Sequence, residues 1–105
     1  SNDDSWQANK KTSITHGKQI EARVNGKNVK IRVDSEPQSG KFQVQSGSGK
    51  SGYSLNEHLP IDRIIEKDSI INWVNSNESL SKLGKGVREQ IIDRIWKGYH
   101  RYYAN

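Results

Sequence analysis

The sequence predicts an α+β fold, a small antiparallel β-meander packed on C-terminal helices. Three observations lead there. Apolar and polar residues alternate on both sides of an Asn-Gly pair between Ile20 and Val33, which is the pattern of two half-buried strands joined by a tight turn. From Val87 to Tyr103 apolar residues recur at spacings of three and four, the period of a helix with one buried face. The chain has 105 residues, of which only 30% are hydrophobic, so it suits one small domain with a thin core and leaves no room for a second.

The elements follow in order. Residues 1–15 (SNDDSWQANKKTSIT) are polar and carry no sustained period, so they read as a flexible N-terminal segment ahead of a single domain spanning residues 16–105. Ile20, Ala22 and Val24 then alternate with polar neighbours, and Val29, Ile31 and Val33 do the same beyond Asn25-Gly26. A two-residue turn sets Val24 against Lys27, Ala22 against Val29, Glu21 against Lys30 and Ile20 against Ile31. A four-residue loop would oppose Arg23 and Lys30, so charge and turn chemistry agree on the tight turn. Glu36-Pro37-Gln38-Ser39-Gly40 is a second turn. A third strand follows, with Phe42 and Val44 inward and Lys41, Gln43 and Gln45 outward. One oily sheet face requires a cover. The segment Ser46–Gly52, with three glycines, reads as a pliable connector, and Tyr53–Pro60 as an irregular arm. Asp68 or Ser69 can cap a short helix bearing Ile70, Ile71, Trp73 and Val74. The longer helix holds Val87, Ile91, Ile92, Ile95, Trp96, Tyr99 and Tyr103. Gly98 costs it about 1 kcal/mol relative to Ala, which predicts a loose last turn.

Composition excludes several functions. Without Cys there is no disulfide, no Cys-ligated zinc and no thiol nucleophile. No apolar run approaches the roughly 18 residues of a membrane span, and no N-terminal stretch reads as a signal peptide. The net charge of +5 favours a polyanionic partner. The charge is concentrated: residues 10–50 hold nine cations against Glu21, Asp34 and Glu36. On the meander these cations define an open basic face.

The chemistry that fits is metal-free cleavage of RNA. It needs a base for the 2′-hydroxyl proton, an acid for the 5′-oxygen and cations for the charge on phosphorus. His16, beside Gly17 and Lys18, and His58, in the arm, are the candidate acid and base. Lys18, Arg32, Lys41 and Lys50 are the candidate phosphate ligands, and no cofactor is expected. His100 reads as a packing residue. Tyr99, Arg101, Tyr102 and Tyr103 read either as core or as a stacking surface for bases. Gly47-Ser48-Gly49-Lys50-Ser51 resembles the end of a P-loop, but Val44 stands where its first glycine belongs. Its successive N–H groups and Lys50 suit a single phosphate. Asp34 with Gln43-Val44-Gln45 partly resembles the core of PD-(D/E)xK nucleases, with glutamines where that motif has its second acid and its lysine.

The stretch RVDSEPQSGKFQVQSGSGKS, Arg32 to Ser51, resembles a segment of C-terminal toxin domains of bacterial polymorphic and contact-dependent inhibition proteins. The resemblance covers about twenty residues closely and the helices loosely. It implies a secreted antibacterial domain cut from a larger carrier, acting in the cytoplasm of a target bacterium. It further implies a nuclease, with tRNA the leading substrate, and a tight-binding acidic immunity protein. The combined expectation is a monomeric, metal-independent ribonuclease toxin with no stable membrane association. The alternatives are a non-catalytic nucleic-acid-binding module and a metal-dependent nuclease.

Overall fold

The computed structural model describes residues 13–47 and 52–104. Five antiparallel strands form one sheet: β1 (Ile14–Thr15), β2 (Ile20–Val24), β3 (Lys27–Glu36), β4 (Lys41–Ser46) and β5 (Asn56–Pro60). The helices are α1 (Lys67–Ser76) and α2 (Lys85–Tyr102), with 3₁₀ turns at Ile61–Arg63 and Leu80–Lys82. Among the described residues no helix is long and apolar enough to cross a membrane.

The β2–β3 hairpin has the register that charge and turn chemistry dictate, with Ile20 opposite Ile31, Glu21 opposite Lys30, Ala22 opposite Val29 and Val24 opposite Lys27. Asn25 and Gly26 both adopt left-handed φ, 53° and 76°, as the two-residue turn between right-twisted strands requires. The arm before the helices is more regular than its sequence suggests. Asn56–Pro60 pairs along the free edge of β4, with Leu59 opposite Phe42 and His58 opposite Gln43.

The long strand β3 is bordered on one edge by two strands end to end. Ile14 and Thr15 of β1, placed by sequence in the flexible segment, pair with Ser35 and Asp34. β2 takes over at Ile31. Between them the four residues His16–Gln19 stand opposite only Arg32 and Val33, so the edge bows outward, and Gly17 turns the chain at φ 77°. Such an excess re-aims side chains at a sheet rim. Because two residues are inserted, the alternation is preserved, and Ile14, His16 and Ile20 all belong to the inner face.

That face is the core. Ile20, Val29, Ile31, Val33, Phe42, Val44 and Leu59 pack with Ile70, Trp73 and Val74 of α1 and with Ile91, Ile92 and Ile95 of α2. The N-cap of α1 is Glu66, ahead of the two residues the sequence suggests. Ser69 instead reaches back, its Oγ accepting the Ile65 and Glu66 N–H groups at 3.2 and 3.3 Å. The helix α2 runs unbroken through Gly98. The glycine serves a close approach rather than a loose end.

Candidate functional site

The inner and outer faces of the sheet carry different chemistry, and strand parity assigns each predicted residue to one of them. His16 donates its backbone N–H to Val33 at 2.8 Å, and its ring turns inward beneath the rim. It is 6% exposed, whereas the sequence suggests an open loop. Its Nε2 lies 2.7 Å from Ser35 Oγ, which lies 2.6 Å from Tyr103 Oη. Phe42 and Tyr102 flank the ring at centroid distances of 5.3 and 5.5 Å. Burial pushes the His16 pKa below 6.5, and the Asp34 carboxylate pulls weakly the other way. The imidazole is therefore neutral at pH 7 and free to accept a proton.

His58 shares the face of Gln43, its partner across the ladder, and that is the outer face. Its Nε2 is 3.0 Å from Asn56 Oδ1 on the same strand. The pairing of His16 with His58 at one scissile bond does not form, because strand parity sends the two rings to opposite sides of the sheet. Arg32 is also an outer-face residue, and its proposed exposure is corrected too. It is 5% exposed and its Nε holds Asp34 Oδ2 at 3.1 Å. Gln45 Nε2 donates to the same oxygen at 2.9 Å, and Gln43 Nε2 donates to Glu36. Asp34 and Glu36 are thus committed to donors of their own face. Asp34, Gln43 and Gln45 do come together as the strand register requires, but as a carboxylate bound by amides. Lys41 lies on the outer face, half-buried, opposite Pro60 and Glu36. Lys50 and the Ser48–Ser51 part of the phosphate-loop-like segment lie outside the described residues.

Among the described residues, Lys18 is the one predicted phosphate ligand that the structure brings to His16. Both line a pocket of about 350 Å³ in the seam between the bowed rim and α2. Its other wall is one stripe of the helix: Arg94, Lys97, Gly98, Arg101 and Tyr102, at intervals of three and four. Four cations therefore converge on a neutral imidazole. Their acidic relief is small: Asp93 holds Lys97 at 3.1 Å and approaches Arg94 at 3.8 Å, both at the surface, where such pairs contribute little. Arg94 Nε is buried with no hydrogen-bond partner among the described residues, a donor left waiting for an acceptor.

Two glycines make the seam possible. A Cβ on Gly98 would stand 2.5 Å from His16 Nδ1, so only a glycine lets the imidazole lie on the helix backbone. A Cβ on Gly17 would meet Arg94 Nε. Each element thus gives up a side chain where the other inserts one. A cleft of similar size between α1 and α2 lacks this character, since its guanidinium, Arg88, is already bound by Asn75 and the Leu83 carbonyl. Among the described residues no three His, Asp or Glu side chains converge as metal ligands.

Sequence reasoning misses Arg94 and Lys97, and it offers Arg101 only as part of a stacking surface. Their spacing of three and four on a predicted helix was available as a signal, but it was eclipsed by the apolar stripe beside it. Ser35 carried no signal, and Tyr103 was read only as core or stacking surface, because the chain of contacts from His16 to Ser35 to Tyr103 joins residues distant in sequence. Compared with protein-family models, curated proteins and solved structures, the chain matches none.

Proposed function

We propose that the chain is an RNA-cleaving domain that holds a phosphodiester in the seam between the bowed rim and α2 and uses His16 as its general base. One observation carries the reading: a buried, neutral imidazole at the wall of a pocket lined by Lys18, Arg94, Lys97 and Arg101. Cations with little acidic relief select a polyanion, and an imidazole kept neutral at pH 7 is in the form that can abstract a hydroxyl proton.

The reaction needs no redox partner. The 2′-hydroxyl gives its proton to His16 as the O2′–P bond forms. The guanidinium and ammonium groups of the pocket stabilise the negative charge gathering on the non-bridging oxygens. The P–O5′ bond then breaks, and the leaving oxygen takes a proton from a group of the pocket wall, of which Lys18, Lys97 and Tyr102 carry one. The products are a 2′,3′-cyclic phosphate and a 5′-hydroxyl. The toxin context, with tRNA as substrate and an acidic protein as antidote, is proposed on the resemblance of Arg32–Ser51. A cationic seam is also the surface an acidic antidote would cover.

The test is incubation of total RNA and of purified tRNA with the protein in EDTA. Discrete fragments ending in 2′,3′-cyclic phosphate are expected. His16→Ala should lower the rate by about 1,000-fold, within the range for loss of a general base. Binding that falls steeply with salt, without cleavage, would instead favour a nucleic-acid-binding module, in which His16 serves packing alone. Cleavage that appears only on adding Mg²⁺ or Zn²⁺ would favour a metal nuclease.

A further inference from the structure

We propose that Ser35 and Tyr103 are positioning residues that hold His16 as its Nε2–H tautomer and so aim the Nδ1 lone pair into the cationic seam. The inference rests on the ribonuclease reading above. The contacts run in one line, His16 Nε2 to Ser35 Oγ at 2.7 Å and Ser35 Oγ to Tyr103 Oη at 2.6 Å. Ser35 is fully buried, so its single hydroxyl proton goes to one neighbour while its oxygen accepts from the other.

Two directions satisfy that constraint. Run from Tyr103 toward His16, the chain makes Nε2 an acceptor and leaves an N–H at Nδ1, which cannot take a proton. Run from His16 toward Tyr103, the Nε2–H donates to Ser35 Oγ, the Ser35 hydroxyl donates to Tyr103 Oη, and Nδ1 keeps its lone pair. Only the second direction survives the reaction unchanged, because an imidazolium donates from both nitrogens. Tyr103 also lines a separate cleft beside Gly40 and Pro60.

Nδ1 has no hydrogen bond among the described residues. It sits against Gly98, and both residues line the wall of the seam. Gly98 and Phe42 keep the ring from turning over. When Nδ1 takes the 2′-hydroxyl proton, the new charge meets an oxygen already oriented to accept at Nε2. No proton travels along the chain, so Ser35 and Tyr103 act through His16 and never touch substrate. The charged groups that line the seam with the ring are Lys18 from the rim and Arg94, Lys97 and Arg101 from α2, while the Asp34 carboxylate acts on it electrostatically from the other face of β3.

Histidine-labelled ¹⁵N spectra read the tautomer directly, and the pH–rate profile of RNA cleavage reads its consequence. Wild-type His16 should be the Nε2–H form. Tyr103→Phe keeps the ring that packs edge-on to Phe42 and removes only the phenol oxygen. It should give a mixture of tautomers and lower kcat about tenfold, the effect of losing one neutral hydrogen bond, with KM unchanged. Ser35→Ala should do the same and move the acid limb of the profile to lower pH, because the imidazolium loses its acceptor. If Ser35→Ala does not fold, Tyr103→Phe carries the test alone. A wild-type ring found as Nδ1–H, or a Tyr103→Phe ring unchanged in tautomer and rate, overturns the relay, while cleavage lost with His16→Ala leaves the ribonuclease reading standing. An Nε2–H ring in a protein that cuts no RNA overturns the ribonuclease reading, and the catalytic role of the relay with it.

Discussion

The outer face of the sheet and the seam at its inner rim both gather charged and titratable groups and use them in opposite ways. On the outer face Arg32, Asp34, Glu36, Gln43 and Gln45 are matched with one another, and His58 is tied to Asn56. At the inner rim Lys18, Arg94, Lys97 and Arg101 gather around His16, and among the described residues Asp93 is the only acid paired with them. The outer network consumes its charges in holding the sheet, whereas the seam keeps its charges available. Net charge in a sequence locates neither, because a cation already facing a carboxylate attracts no ligand.

Three experiments sharpen that contrast. The largest effect is expected at Gly98. On an exposed helix Gly→Ala stabilises by about 1 kcal/mol. Here the added methyl displaces the imidazole, so Gly98→Ala should lower RNA cleavage by about 100-fold, the order expected for losing much of a general base. If the variant is instead more stable and fully active, His16 does not need its seat on α2.

Arg32 should give a large effect of a different kind. Arg32→Ala leaves Asp34, which has no exposed surface and already has Oδ1 unpaired, without its guanidinium. Chemical denaturation should show a loss of about 3 kcal/mol, as for breaking a buried pair from one side. Cleavage per folded molecule should hold, and a specific loss of activity at full stability would make the outer face functional after all. The smallest effect belongs to His58. Its substitution by Ala should leave both stability and cleavage within about twofold, since exposed side chains away from a site change little. A strong loss of cleavage would return the site to the outer face.

Most of the fold was legible because its signals are local. The hairpin register was set by Asn25-Gly26 and by the charges at positions 21, 23 and 30, all within a dozen residues. The stripe of α2 was equally local. β5 was hidden because its five residues, Asn56–Pro60, bury little besides Leu59 and end in a proline, so their pairing depends on β4 rather than on their own propensity. The site was legible only in part. His16 and Lys18 were chosen for their chemistry, and they do meet. The cations that complete the pocket come from α2, more than seventy residues later, and no short-range pattern connects them to the rim. His58 and Arg32 were misplaced for one reason: alternation states which residues share a face, but not which face a helix will close over.

The bowed rim has a further consequence. Its four residues opposite two keep Ile14 and His16 in phase with Ile20. Since each added residue reverses the side to which a strand's groups point, His16 keeps its side only while it directly follows the paired Thr15. A single residue inserted between the two would leave every pocket residue of α2 untouched, yet it would swing the imidazole through the sheet to the wrong side.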